Sequence, residues 1–433
     1  MDRMLRRIGT VALWLLALLL VLISVNSNEP YLVRLRGTGH IVLVLAAIGV
    51  PSAMIYRGAW RSGIARRLLL VVWCVPLVAF IAAQSDFAIR KYQALHTEVA
   101  AARLLGRYFV VGYEDPTEAA VLAGKGLIGG VYVTRHNAAG RTAAELRGEI
   151  ASLQAARTAA HLPPLIVAAD QEGGIVAHLS PPLPEEPALS SLATVAPDQR
   201  KAQAEAYGRR QGADLAGIGV TLNLAPVLDL RPSWQRNRLD FNTLISQRAI
   251  SGDPAIVSDI AGAYVRGLEA AGVGAAVKHF PGLGRVRADT HHFAARLDTP
   301  LAALEASDWR PFRDVLATSR AALMVGHVAL AAVDPDRPAS HAKAVLDGLI
   351  RKQWNYQGVI ITDDLVMGAI YGGDVCQAIV EALNGGADLL LVAYDGAQFY
   401  RVFGCASRAL ARGELDRAML RASEARLQHW SGE

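Results

Sequence analysis

Two adjacent carboxylates, Asp363 and Asp364, stand on a short turn directly after an apolar run at 359–361. A carboxylate held at the end of a strand can attack an anomeric carbon, as the nucleophile of a retaining glycosidase does. A carboxylate in the same place can instead cap the helix that follows. We assign the nucleophile to Asp363 and interpret Asp364 as the cap.

A second group of reactive side chains lies upstream, where Lys278 and His279 end another apolar run. A break at Pro281 starts a long loop that carries Asp289 and His291. An aspartate two residues before a histidine can orient the imidazole and raise its basicity, which makes the pair a usable acid and base near neutral pH. An isolated pair of this kind is more typical of a solvated surface, so the interpretation depends on its neighbours.

Two further charged residues, Asp170 and Arg248, could bind sugar hydroxyl groups through charged hydrogen bonds. Lys278 and His279 could grip hydroxyl and carbonyl groups in the same way. The sequence therefore contains a candidate set of groups for holding a polar ligand beside the candidate nucleophile.

Other chemistries find little support in the sequence. The cysteines, Cys74, Cys376 and Cys405, have no paired spacing, which predicts neither a disulfide nor a zinc site. No serine-nucleophile motif, phosphate-binding loop or cluster with metal-ligand spacing is present, so we expect neither a metal nor another cofactor. The net charge of +5 comes from scattered arginines rather than a basic stripe, and we expect no nucleic-acid partner.

Repeated βα units are predicted to position these residues. Eight short apolar runs alternate with longer amphipathic stretches, which is typical of a (β/α)₈ barrel. Polar residues follow the third to seventh runs, as expected where a barrel places its chemistry at the carboxyl ends of its strands. An open doubly wound sheet is the alternative, but no Gly-x-Gly-x-x-Gly opens a helix after the first run. The runs lie at 108–111, 130–133, 165–168, 221–224, 275–277, 322–325, 359–361 and 389–392.

The N-terminal region 1–86 is predicted to hold about three transmembrane helices, at 8–28, 37–56 and 68–85, each close to the ~20 residues that a span needs. Basic residues precede the first span and fill the loop between the second and third, which places both in the cytoplasm. The part that follows, a helical linker at 87–104 and a catalytic domain at 105–433, is then expected outside the cytoplasm. A cleaved signal peptide is the alternative for the first span, and it leaves the domain on the same side.

Taken together, the motifs resemble glycoside hydrolase family 3, in its β-N-acetylhexosaminidase branch. The resemblance covers about 105–393 and includes several motifs in the family's order. They are Asp-Gln-Glu-Gly-Gly at 170–174, Asn-Leu-Ala-Pro-Val-Leu-Asp at 223–229, Lys-His-Phe-Pro-Gly at 278–282, Asp-Thr-His at 289–291 and Ile-Thr-Asp-Asp-Leu-Val-Met at 361–367.

The resemblance implies a role for each candidate residue. Asp363 would form a covalent glycosyl-enzyme, and His291, oriented by Asp289, would be the general acid and base. Four positions match those that hold the N-acetylglucosamine unit in the family: Asp170, Arg248, Lys278 and His279.

The chain also departs from the family's usual pattern. It has Leu283 where the family commonly has a second histidine, Arg285 where an aspartate is usual, and Ile175 where an arginine commonly follows the two glycines. An arginine in place of an aspartate reverses the charge beside a binding loop, which bears on substrate preference.

The expected function is that of a retaining β-N-acetylglucosaminidase that releases terminal N-acetylhexosamine from peptidoglycan fragments. Its expected location is a bacterial-type inner membrane, with membrane lipid around the N-terminal helices and the catalytic domain on the extracytoplasmic side. One alternative is a family relative that acts on another β-glycoside or by phosphorolysis. The other is a non-catalytic, membrane-tethered sugar-binding protein.

Overall fold

The computed structural model describes residues 2–61, 63–233, 243–371 and 373–431. The chain divides into two compact units, Met1–His96 and Thr97–Glu433.

The first unit is built from three long helices, α1 (Asp2–Val25), α2 (Thr38–Tyr56) and α3 (Ile64–Leu95). Short 3₁₀ helices at Pro30–Leu35 and Ala59–Arg61 connect them. Each of the three helices is long and apolar enough to cross a membrane. Their outward side chains are largely hydrophobic and exposed, which is the surface that a lipid environment requires.

The second unit is a near-closed parallel β-barrel. Its eight strands are β1 (Phe109–Gly112), β2 (Gly130–Val133), β3 (Ile166–Ala169), β6 (Leu222–Asn223), β7 (Gly274–Phe280), β9 (Ala322–Val325), β11 (Ile360–Thr362) and β12 (Leu390–Val392). They are paired in the order β11-β9-β7-β6-β3-β2-β1-β12, and a parallel bridge between Ile361 and Leu389 joins the two ends of the sheet. Each strand overlaps one of the predicted apolar runs, so the predicted barrel is confirmed.

Two short additional strand pairs lie beyond the barrel wall. The antiparallel pair β4 (Gln171–Gly173) and β5 (Val176–Ala177) follows β3 directly. The parallel pair β8 (Ala295–Leu297) and β10 (Val328–Leu330) connects the long loop after β7 to the segment after β9. Both pairs therefore shape the edge at which the barrel strands end.

Helices cover the outside of the barrel, and several begin at a polar cap. Thr142 accepts a hydrogen bond from the backbone N–H of Glu145, whose carboxylate in turn accepts from Thr142, so both ends of this capping box are satisfied. The helices are α4 (Val99–Gly106), α5 (Pro116–Gly124), α6 (Arg135–Ala138), α7 (Ala143–Ala159), α8 (Pro197–Gly217), α9 (Ile245–Arg248), α10 (Pro254–Ala270), α11 (Leu301–Ala306), α12 (Arg310–Leu316), α13 (Gly368–Tyr371), α14 (Val375–Gly385), α15 (Phe399–Arg412) and α16 (Arg417–Ser431), with 3₁₀ helices at Leu189–Thr194 and Gly396–Gln398 and a π-helix at Ala344–Gln353.

The interior of the barrel is a packed apolar core. Alternate residues of a strand point inward, and small side chains such as Ala168, Ala276 and Ala322 share this space with larger ones such as Met324 and Leu391. Such mixing of sizes fills the barrel without leaving a pore. The strands therefore form a rigid frame, and the polar groups at their carboxyl ends inherit fixed positions.

The cysteines correct one prediction. Cys376 on α14 and Cys405 on α15 form a disulfide, with a Cα–Cα distance of 5.1 Å. The prediction that the cysteines form no disulfide is therefore wrong for these two residues. The two cysteines are 29 residues apart, a spacing that belongs to no short motif. They meet because α14, which precedes β12, packs beside α15, which follows it.

Candidate active site

A buried cluster of charges lies where β3 and β7 end. The ammonium of Lys278, in β7, forms ion pairs with Asp170, just after β3, and with Glu172, in β4, at 2.7 Å from the latter's carboxylate. The Lys278 side chain is only 3% exposed. A buried charge requires such partners, because transfer out of water is otherwise very costly.

Arg248, the last residue of α9, completes this cluster. Its guanidinium binds Glu172 through two hydrogen bonds, of 3.0 and 2.6 Å, and also donates to the carbonyl of Thr243 at 2.9 Å. Glu172 therefore accepts charged hydrogen bonds from both Arg248 and Lys278. The cluster alternates in charge, which holds each side chain in a single position.

The charges of the cluster also set its ionisation. Burial raises the pKa of Asp170, but the attraction of Lys278 and His178 outweighs it, and the pKa lies well below its usual value. Burial likewise raises the pKa of Glu172, and Arg248 with Lys278 brings it below its usual value. Both carboxyl groups are therefore ionised at neutral pH.

His279, next to Lys278, is oriented from the opposite side. Its Nδ1 lies 2.7 Å from a carboxylate oxygen of Asp229, which follows β6. The same carboxylate accepts from the backbone N–H of His279 and, at 2.6 Å, from that of Leu283. Nε2 of His279 lies 3.4 Å from the guanidinium of Arg248. Asp229 thus fixes both the imidazole and the start of the loop that follows.

Asp363, the candidate nucleophile, stands directly after β11. Its backbone N–H donates to the carbonyl of Val325 at 2.9 Å, and its carboxylate accepts from the N–H of Asp364 at 2.8 Å. Burial raises the pKa of Asp363, but the attraction of His279 and His291 and the Asp364 hydrogen bond outweigh it, so that the pKa lies below its usual value. A carboxylate that remains ionised is what a nucleophilic role needs.

Asp364 does not cap a helix, and that interpretation is wrong. Its carboxylate accepts from the backbone N–H groups of Val366 at 3.1 Å, Ala393 at 2.9 Å and Tyr394 at 2.8 Å. Burial raises the pKa of Asp364 to about 6, although these three hydrogen bonds oppose the shift. The side chain therefore ties the end of β11 to the end of β12 and fixes the turn that bears Asp363.

The Asp289–His291 pair lies on the long loop after β7. Asp289 is buried, and one of its carboxylate oxygens lies 3.0 Å from Nδ1 of His291 and also accepts from the hydroxyl of Thr243 at 3.0 Å. Burial raises the pKa of Asp289, but the hydrogen bonds from His291 and Thr243 outweigh it, and the pKa falls well below its usual value. An ionised carboxylate at Nδ1 keeps a hydrogen there, so Nε2 is the nitrogen that can exchange a proton with a ligand.

The loop is also hydrogen-bonded to the segment that follows the candidate nucleophile. The N–H of Gly368 donates to the backbone carbonyl of His291 at 2.7 Å. Gly368 begins the helix that follows Asp363. The His291 side chain remains 38% exposed, in contrast to the fully buried side chain of Asp289.

His327, after β9, supports the turn that carries the two aspartates. Its Nε2 lies 2.9 Å from the backbone carbonyl of Asp364, and its Nδ1 lies 2.8 Å from the hydroxyl of Ser340. All these groups are buried. His327 thus contacts the residue next to the candidate nucleophile.

The residues that depart from the usual pattern have partners of their own. Leu283 is buried, and its N–H donates to Asp229. Arg285 forms an ion pair with Asp308 at 2.8 Å, and that carboxylate is only 4% exposed. The reversed charge at position 285 is therefore balanced within the loop's own surroundings, whereas the side chain of Ile175 is 48% exposed.

The structure brings most of the predicted residues together at one end of the barrel. Asp170, Lys278 and Arg248 meet through Glu172, and His279 reaches Arg248. Roles for Glu172, Asp229 and His327 were not predicted, although each follows a predicted strand. A signal was available, because a buried cation such as Lys278 or Arg248 requires carboxylate partners on neighbouring strand ends.

Comparison with known proteins places this arrangement among glycosidases. Residues 99–429 match the model of the glycosyl hydrolase family 3 N-terminal domain. A β-hexosaminidase of Xanthomonas campestris pv. campestris (strain B100) is 34% identical over 271 residues, which cover 62% of this chain and 77% of the relative. A β-hexosaminidase of Idiomarina loihiensis is 33% identical over 241 residues, which cover 55% of this chain and 70% of the relative.

Solved structures agree with this result. The chain is similar to a family 3 β-N-acetylglucosaminidase from Paenibacillus, with a TM-score of 0.69, 28% identity, 76% of this chain covered and 62% of that one. It is also similar to a family 3 glycosyl hydrolase from Mycobacterium smegmatis, with a TM-score of 0.68, 29% identity, 78% of this chain covered and 99% of that one.

Proposed function

The chain belongs to glycosyl hydrolase family 3, and we propose that it is a membrane-anchored, retaining β-N-acetylglucosaminidase that acts on peptidoglycan fragments outside the cytoplasm. The observation that carries the proposal is the pairing of an ionised carboxylate, Asp363, with a loop-borne acid and base, His291, whose loop is hydrogen-bonded to the segment after Asp363.

The first chemical step transfers the sugar to the enzyme. The Asp363 carboxylate attacks the anomeric carbon and forms an ester bond to it, while the bond from that carbon to the leaving-group oxygen breaks. His291 gives the proton on Nε2 to that oxygen, and Asp289 stabilises the imidazolium from the Nδ1 side. The fully buried carboxylate of Asp289 cannot turn away to water, so the orientation of the ring is maintained.

The second step releases the sugar. His291, now neutral, takes a proton from water, the water oxygen bonds to the anomeric carbon, and the ester bond to Asp363 breaks. Each step inverts the anomeric carbon, so the product keeps the β configuration.

The buried charge cluster is assigned to sugar binding. Asp170, Lys278 and Arg248 are held by ion pairs, and His279 by Asp229, so hydroxyl groups of the sugar would meet donors and acceptors that are already in place. The relatives' name, β-hexosaminidase, supports an N-acetylated hexosamine as the sugar.

The extracytoplasmic location rests on two supports. The three N-terminal helices are long and apolar enough to span a membrane, and basic residues flank them on the sides that the positive-inside rule assigns to the cytoplasm. The second unit also contains the Cys376–Cys405 disulfide, a bond that persists in oxidising compartments and is rare in the cytosol. An extracytoplasmic location supports our proposal of a peptidoglycan substrate.

The catalytic part of the proposal is tested with the full chain in detergent. We expect hydrolysis of an aryl β-N-acetylglucosaminide, little of the aryl β-glucoside, and the β anomer of the sugar as the first product in NMR spectra. Equal rates on both sugars would contradict the assigned sugar, and an α product would contradict the covalent step. Acceleration by phosphate, with release of a sugar phosphate, would replace hydrolysis by phosphorolysis.

The location is tested by adding trypsin to spheroplasts that contain the chain. Digestion of the second unit without lysis is expected. Protection until the membrane is broken would place the unit in the cytoplasm and remove peptidoglycan fragments on the outer face as its substrate.

A further inference from the structure

We propose that Ser340 and His327 are positioning residues for the nucleophile: the Ser340 hydroxyl fixes the hydrogen of the His327 ring on Nε2, and that N–H holds the turn bearing Asp363. The inference rests on the proposed role of Asp363. It concerns groups that the hydrolytic mechanism does not use.

The ring's hydrogen is located by its neighbours. A carbonyl oxygen can only accept, so the contact of 2.9 Å between Nε2 of His327 and the carbonyl of Asp364 requires a hydrogen on Nε2. Burial lowers the pKa of His327 against the attraction of Asp363, which keeps the ring neutral. A neutral ring with its hydrogen on Nε2 has a lone pair on Nδ1, and this lone pair must accept from Ser340 at 2.8 Å.

The contact between Ser340 and His341 allows hydrogen bonds to be donated in one direction, from His341 to Ser340 and from Ser340 to His327. Nδ1 of His341 lies 3.4 Å from the Ser340 oxygen, which can accept from it while donating to His327. The Ser340 backbone is held in place as well, because Ala339 donates to the carbonyl of Val328 at 2.8 Å. The Ser340 oxygen can therefore accept from His341 while its own hydrogen is donated to His327.

The effect reaches Asp363 through Asp364. The carbonyl of Asp364 accepts from His327, and its N–H donates to the Asp363 carboxylate at 2.8 Å. If the His327 hydrogen moved to Nδ1, the lone pair on Nε2 would face the carbonyl oxygen and repel it. The turn would then shift, and small misplacements of a reacting group are costly in rate.

A mutant cycle in the full chain separates positioning from simple packing. Ser340→Ala is expected to lower kcat about tenfold and to leave KM within about twofold, because a buried acceptor loses its donor while the sugar-binding groups are untouched. Ser340→Cys, which keeps the shape and a weak donor, should fall between the alanine variant and the wild type.

His327→Gln supplies the matched background. The glutamine amide can still donate to the Asp364 carbonyl but offers no Nδ1 acceptor, so adding Ser340→Ala to it should change kcat by less than about twofold. His327→Leu, which lacks the donor, should lose about a hundredfold in kcat. Equal effects of Ser340→Ala in both backgrounds would overturn the proposal, since a packing defect would not depend on the Nδ1 atom.

A measurement on the unmutated chain tests the proposal even if the Ser340 variants do not fold. With ¹⁵N-labelled histidine, the His327 resonances, assigned by their loss in His327→Gln, should have the shifts of a neutral ring with a hydrogen on Nε2. A hydrogen on Nδ1, or a charged ring at pH 7, would overturn the inference. This readout does not depend on turnover, so it distinguishes failure of the positioning from failure of the proposed function, which Asp363→Ala tests.

Discussion

The two halves of the candidate active site are built in opposite ways. The half that we propose binds the sugar consists of buried ion pairs at strand ends, where the side chains of Lys278 and Arg248 are 3% and 8% exposed. The half that we propose transfers the proton is a loop whose His291 side chain is 38% exposed. Groups that only bind can be fixed in advance, whereas a group that must reach both the leaving oxygen and a water benefits from a support that can adjust.

The contrast is sharpest at the loop itself. The side chain of Asp289 is fully buried and accepts a hydrogen bond from Thr243, so the carboxylate of the pair is held in place although it belongs to the loop. The partly exposed imidazole of His291 is held by its contact with the Asp289 carboxylate, and the backbone of His291 accepts a hydrogen bond from Gly368. Comparing variants of the two halves therefore tests whether turnover and stability are separable.

The largest effect is expected at the point where the halves meet. Asp363→Ala should lower kcat at least about 10⁴-fold, because the ester to the sugar cannot form, and should leave the melting temperature nearly unchanged. Single-turnover assays measure the rate, and thermal unfolding followed by circular dichroism measures the melting temperature. Asp298→Ala serves as the control. It changes an exposed aspartate shortly after the loop and should have the wild-type rate. Near-normal turnover of Asp363→Ala would assign the nucleophile elsewhere.

On the loop, His291→Ala should lower kcat/KM about 10²- to 10⁴-fold with little change in stability. The loss should be larger for a poor leaving group such as a second sugar than for a dinitrophenyl group, because only the former needs a proton. Rates across a series of aryl leaving groups test this. The neighbouring His292→Ala provides the matched control. A loss that does not depend on the leaving group would remove His291 as the acid.

In the binding half, Lys278→Met should act on stability as well as on KM. Removal of the ammonium leaves the buried Glu172 and the partly buried Asp170 as adjacent negative charges, and breaking a buried ion pair costs about 3 to 5 kcal/mol. Lys201→Met removes the exposed pair with Asp259 and should cost less than about 1 kcal/mol. Denaturant titration of the full chain gives both values. Equal costs would show that the cluster is not buried in solution.

The smallest effect expected is a loss of stability in acid. The folded-state pKa values of Asp170 and Glu172 lie below their usual values of 3.8 and 4.5, so the unfolded chain binds protons first as the pH falls. Their stabilising contribution is complete above about pH 5, decreases as the pH falls through these usual values, and is lost entirely below the folded-state pKa values. Melting temperatures between pH 7 and 3 should show this decline, and Lys278→Met should flatten it. A decline of equal slope in that variant would assign the acid sensitivity to other carboxyl groups.

Much of this architecture could be predicted because its signals are local. Each barrel strand is a short apolar run, and the reactive residues follow the runs directly, so their order along the chain fixes their position at one end of the barrel. The position of Asp363 at a strand end was predicted in this way, whereas the Asp289–His291 pair lies on a long loop and was singled out by its spacing and motif context. The catalytic roles of all three residues stay predictions.

The remaining features depend on contacts between distant segments. Lys278 pairs with Asp170 across 108 residues, and the two cysteines meet only because α14 and α15 pack together. Asp364 resembles a helix cap locally, yet its partners Ala393 and Tyr394 lie on the next strand end. Each of these contacts joins segments that are far apart in the sequence, so no local sequence pattern could predict them.

The pairing of β1 with β12 has a consequence for how the chain is made. Val110 is aligned with Leu391, so the first strand of the barrel lacks one neighbour until nearly the whole chain has been synthesised. Contacts between residues so far apart in sequence form late and slowly. Until then the unpaired edge of β1 is available to other chains, and we expect newly made protein to need protection from aggregation up to the moment that its last strand is inserted.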